Sequence, residues 1–161
     1  ELFKITFDSL KNDENLYWLP HLFYSLSKTK FELAFNYITT LVKSQDLKSV
    51  QIGLRFLDKF NREFVFSKQD WVRELLEHGK KMGEEFFDVI KERLYFLATI
   101  YGKSGSPDKP YPEDVALIEK SKIAIENSKF DYETEFYLKL IEEGEKSIER
   151  HRLDYERILL D

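Results

Sequence analysis

The sequence predicts an all-α fold, a stack of antiparallel helical hairpins with about seven helices. Three observations carry that reading. Apolar residues recur at i, i+3, i+4 and i+7 along most of the 161 residues. Gly (6) and Pro (4) are scarce and long side chains abundant, which favours helix over an all-β fold. The periodic segments are joined by short polar links, and helices so connected pack antiparallel.

In chain order, residues 1–11 hold Leu2, Phe3, Ile5, Phe7 and Leu10, and residues 12–15 form a polar break. Leu19, Leu22, Phe23 and Leu26 then keep helical spacing, with Pro20 tolerable in a first turn. After a link at 27–30, Phe31, Ala34, Phe35, Ile38, Leu41 and Val42 make the cleanest helix. The segment 47–60 is the most apolar. Leu47, Val50, Leu54 and Leu57 form one row, and Ile52, Phe56 and Phe60 a second. The arc they span is roughly 220° wide, against ~100° for a helix covering one side of a core, so this helix needs neighbours on both flanks.

Residues 61–66 read as a link, and Ser67-Lys68-Gln69-Asp70 as a capping box. Trp71, Val72, Leu75, Leu76 and Met82 follow, with Arg73–Glu77 and Glu77–Lys81 as i,i+4 pairs on the outer face. Gly83 ends that helix, and the next runs over 84–101. Residues 102–112 (GKSGSPDKPYP) form the one real loop, with three of the four Pro. Pro112, Glu113 and Asp114 start a helix whose face is Val115, Ile118 and Ile125. The last helix begins at Asp131 and runs to about Leu160. Its stripe is Phe136, Tyr137, Leu140, Ile141, Ile148, Tyr155 and Leu159, with Gly144 on it as a close-packing point or a kink. So narrow a seam suits either a lid packed along one edge or a helix seeking a partner.

The run LPHLFYSL at 19–26, followed by residues 31–42, resembles a HEAT repeat. That family's first helix often carries Leu-Pro, and its second carries residues like Ala34, Ile38 and Leu41. Residues 47–60 are similar to another second helix, so the resemblance covers roughly residues 17–101. The Asp and Arg of the family's inter-repeat ladder are replaced by Thr29-Lys30-Phe31-Glu32, so an irregular HEAT-like α-α superhelix is expected. The resemblance implies a curved surface that binds another macromolecule.

The expected organisation is a helical stack over residues 1–101, a loop over 102–112, and an acidic helical segment over 113–161 packed on the stack. Residues 1–112 hold 17 Lys+Arg and 16 Asp+Glu, a net of +1; residues 113–161 hold 8 and 14, a net of −6. With no Cys there is no disulfide or thiol nucleophile, which fits a reducing, cytoplasmic compartment. No apolar run approaches the ~18–20 residues of a membrane span, so no membrane partner is expected. A start at Glu1 reads as a processed product or a piece of a longer protein.

Nothing points to catalysis. His21, His78 and His151 are dispersed, and neither an HExxH nor a G-x-S-x-G motif occurs. Gly102-Lys103-Ser104 lacks the upstream Gly and preceding strand of a phosphate loop. Glu142-Glu143-Gly144-Glu145 reads as a solvated face. No cofactor and no metal are expected.

The sharpest local signal is a basic row, Lys48, Arg55, Lys59 and Arg62, within ~60° of arc on one helix, able to meet phosphates or an acidic partner. Tyr17, Tyr24 and Tyr95 fall off the apolar stripes and are candidate contact residues. The leading reading is therefore a non-enzymatic helical-repeat scaffold that binds a protein partner, as part of a larger intracellular protein. The alternatives are a nucleic-acid-binding HEAT-like domain, with DNA glycosylases as the specific form, and a regulatory helical domain of a multidomain NTPase.

Overall fold

The computed structural model describes residues 31–57, 63–106 and 108–160, with side chains from 35 onward. All regular structure among them is helical, as the sequence predicts. The helices are α1 (Phe31–Val42), α2 (Leu47–Phe56), α3 (Glu63–Ser67), α4 (Gln69–Met82), α5 (Glu84–Thr99), α6 (Pro112–Glu126) and α7 (Asp131–Leu160). The expected first helix, over 19–26, lies outside the described residues. The chain divides into two compact units, Glu1–Phe60 and Asn61–Asp161.

In the first unit α1 and α2 form a hairpin. Asp46 caps α2, its carboxylate accepting from the Ser49 amide at 3.0 Å and the Ser49 hydroxyl at 2.6 Å. Both apolar rows of α2 are buried: Val50, Leu54 and Leu57 on one, Ile52 and Phe56 on the other. Leu47, at the start of the first row, is half-buried, and Phe60 lies outside the described residues. The helix itself stops at Phe56, with Leu57 as its cap.

The second unit joins two hairpins, α4–α5 and α6–α7, with α7 also touching α4 and α5. The short helix α3 packs on α4, α5 and α6, so α6 and α7 share one unit with α3–α5. The link expected at 61–66 thus contains a helix. One turn is too short to show periodicity, but it buries Phe64 and Val65, and Phe64 meets the Trp71 ring edge-on at 5.2 Å. The capping box does not form. Lys68 occupies the cap position and its side chain makes no capping bond, Ser67 Oγ donates to the Phe64 carbonyl at 3.5 Å, and Asp70 pairs with Arg73. Gly83 does end α4, at φ +118°, a conformation that side-chain-bearing residues rarely adopt. Helix α5 stops at Thr99, two residues short of the expected end, because Ile100 turns extended.

The face expected for α6 is only partly covered: Ile118, which packs on Gly144, and Ile125 are half-buried. Val115 is 37% exposed, while Asp114, Leu117, Ser121 and Ala124 form the inner row. Two of those four are polar and one is small, so apolar periodicity points to an arc beside the buried row. On α7 the expected seam is buried at Phe136, Tyr137 and Leu140. Gly144 is a close-packing point in a continuous helix: a Cβ there would lie 2.7 Å from Ile118 Cγ1. Beyond Ser147 the seam emerges. Tyr155 is half-buried, and Ile158 and Leu159 are 68% and 66% exposed.

Candidate functional site

Among the expected contact residues, Lys48 and Arg55 are exposed on α2, two turns apart, with exposed Gln51 between them. Tyr17, Tyr24, Lys59 and Arg62 lie outside the described residues. Tyr95 is half-buried and ties α5 to α7. Its hydroxyl donates to Glu143 Oε2 at 3.0 Å, and Lys139 Nζ lies 4.9 Å from the ring centroid. Burial, reinforced by the Glu143 carboxylate, pushes its phenol up to about 12. Glu142 pairs with Lys146 at 3.2 Å on an exposed face. Among the described residues no group of three or more His, Asp or Glu side chains could hold a metal ion.

Two polar nodes are built inside the second unit. The first joins α4 to the start of α7. Arg73 Nε donates to Glu133 Oε2 at 2.9 Å, and a second nitrogen donates to the Asn127 carbonyl at 3.0 Å, while a third engages Asp70. The Lys129 amide also donates to Glu133 Oε2, at 2.9 Å. Glu133 is fully buried, and the Arg73 side chain is 10% exposed. The expected Arg73–Glu77 pair is therefore absent; Arg73 turns inward, and Glu77 pairs with Lys81 at 2.7 Å. One turn along α7, Tyr137 is buried with no bond to its hydroxyl, and burial pushes that phenol well up.

The second node pins the 100–111 connection to the α6–α7 hairpin. Asp114, fully buried, accepts from Tyr101 at 2.5 Å, from Ser147 Oγ at 2.8 Å and from Lys103 Nζ at 3.2 Å. Lys103 also contacts Ser147 Oγ directly. Its ammonium sits 5.8 Å from the ring centroids of both Tyr101 and Tyr111. Tyr111 in turn packs on His151 at 4.1 Å, and Ser104 Oγ donates to Glu113 at 2.8 Å. The Ser147 oxygen is closed on both sides, its proton given to Asp114 and its lone pair facing Lys103. With Ser147 only 8% exposed, the cluster is an anchor rather than an activated nucleophile.

Sequence reading missed both nodes. Asp114 and Glu133 sit in the first turns of their helices, where an acidic residue is expected for helix-dipole reasons alone. Arg73 was assigned by spacing to a solvated face. The Gly102-Lys103-Ser104 triplet was the one visible signal, and it marks an internal ion pair.

No described helix is long and apolar enough to cross a membrane. Compared with protein-family models, curated proteins and solved structures, the chain matches none of them.

Proposed function

We propose that this chain is a non-enzymatic helical interaction domain that receives an amphipathic helix of a protein partner along the distal end of α7. The observation that carries this reading is the continuity of the α7 seam. Gly144 and Ser147 face α6, and at 100° per residue the same stripe continues through His151, Tyr155, Ile158 and Leu159. The proximal part of this line is covered by α6, an antiparallel helix; a partner helix extends the same packing.

Local charges favour an apolar occupant over a polyanion. Arg152 pairs with Glu149 and Glu156, and Arg157 lies 3.9 Å from Asp154, so two of the distal cations already have carboxylates beside them. Recognition then rests on apolar anchors at helical spacing, the helix-in-groove mode. The polar nodes support a non-catalytic reading, since their groups are spent on holding helices together.

The test is fluorescence anisotropy with labelled synthetic peptides carrying Leu at i, i+3, i+4 and i+7, against scrambled peptides of the same composition. Saturable binding that an Ile158→Glu/Leu159→Glu variant loses supports the reading. Equal binding by the variant, or none by the wild type, overturns it.

A second reading is favoured by Lys48 and Arg55, exposed on one side of α2 with no carboxylate paired to them among the described residues. They make the first half of a phosphate-binding row. DNA binding that weakens steeply with salt, and is lost on Lys48→Glu/Arg55→Glu, supports this alternative.

A further inference from the structure

The Asp114 node has the makeup of an ammonium receptor. At its base is a buried carboxylate whose two oxygens both lie 3.2 Å from Lys103 Nζ, with Ser147 beside them. Its walls are the Tyr101 and Tyr111 rings, within the ~6 Å reach of a cation–π contact. These walls are held by bonds that do not involve the lysine. Tyr101 is fixed by its own hydrogen bond to Asp114, Tyr111 by packing on His151 and by its position capping α6, and Asp114 by Ser147.

The occupant, by contrast, reaches the site from the solvent side. Lys103 enters from an irregular, exposed stretch between Gly102 and Ser104-Gly105, and its side chain remains 35% exposed. The space around the Gly102 Cβ position is open to 4 Å, and the next anchor after Lys103 is the exposed Ser104–Glu113 bond at 2.8 Å.

We propose that Tyr101, Tyr111, Asp114 and Ser147 form a binding site for a primary alkylammonium, the class to which a lysine side chain belongs. Lys103 is its tethered occupant, and an external ammonium takes the site when Lys103 swings out. Because a short tether gives the resident amine an effective concentration of about millimolar or more, free amine competes poorly with the wild type and well once Lys103 is truncated. The proposal involves a different site from the α7 seam and stands or falls independently of it.

Chemical rescue tests it. Lys103→Ala deletes three methylenes and the amine, the atoms of n-propylammonium. The variant is expected to melt several degrees below wild type and to regain most of that loss in tens of millimolar n-propylammonium chloride. Sodium chloride at equal ionic strength gives no such recovery, and Lys103→Ala/Asp114→Asn gives none with the amine. No recovery, or the same shift in wild type and in the double variant, overturns the proposal. Nuclear magnetic resonance titration of the wild type with the same amine, carried to concentrations far above the tether's effective concentration so that Lys103 is displaced, keeps the question decidable if Lys103→Ala does not fold. Saturable shifts confined to Tyr101, Tyr111 and Ser147 support the site; diffuse or absent shifts refute it.

Discussion

Each two-helix hairpin has a buried glycine, Gly53, Gly79 or Gly144, at which an added Cβ would crowd the facing helix, and the three differ in what surrounds them. At Gly79 on α4, an added Cβ would lie 2.8 Å from Phe87 Cα and 3.2 Å from Phe87 N, both backbone atoms of α5. That backbone is held by the Phe87 amide bond to the Gly83 carbonyl at 3.1 Å, so relief requires opening the α4–α5 turn. At Gly144 the closest obstacle is the Ile118 side chain, at 2.7 Å, which can move by changing its rotamer. Alanine gains about 1 kcal/mol of helix propensity over glycine at either site. Overpacking costs about 1–3 kcal/mol, at the upper end or beyond where backbone must shift. Gly79→Ala is therefore expected to destabilise the second unit by about 2 kcal/mol, lowering its Tm by roughly 8 °C for a unit of this size. Gly144→Ala should stay within about 1 kcal/mol of wild type, since propensity and clash nearly cancel. Urea denaturation and calorimetry of the two variants measure this ordering. A Gly79→Ala variant as stable as wild type, or less affected than Gly144→Ala, refutes the reasoning.

Three further expectations follow from the interior. Glu133→Leu alone leaves a buried guanidinium short of its principal carboxylate and should cost about 3 kcal/mol, whereas Arg73→Met/Glu133→Leu should cost clearly less than the sum of its single variants; additive costs in denaturation would contradict the coupling. Tyr95 should titrate near 12 by absorbance at 295 nm, a step absent in Tyr95→Phe. Because the fold raises this phenol above its unfolded value, the associated stability is intact below about pH 10 and falls as pH rises towards 12. Leu140→Ala, in the covered part of the seam, should cost about 2–5 kcal/mol, and Leu159→Ala, in the exposed part, no more than about 0.5.

The all-α architecture was legible because packing of this kind writes itself as apolar periodicity. The rows of α2 and the proximal seam of α7 are buried where spacing places them. Legibility failed where the inner face is not apolar. On α6 it is Asp114, Leu117, Ser121 and Ala124, chosen by the close approach at Gly144 and by the ion pair with Lys103. Helix α3 was invisible because five residues carry no period, and its burial depends on Trp71 and on contacts distant in sequence. The polar nodes join residues far apart in the chain, Arg73 with Glu133 and Lys103 with Ser147, so no local motif could give their partners. The distal seam of α7, in contrast, was legible as a thin stripe, and it is exposed at Ile158 and Leu159.

Hydrogen exchange along α7, without and with the Leu-patterned peptide, tests most directly whether that stripe is a docking face. The account predicts fast exchange over 152–160 in the free protein, slow exchange over 136–147, and new protection confined to the distal amides on binding. Distal amides already as protected as the proximal ones, or peptide-induced protection elsewhere in the chain, would contradict it.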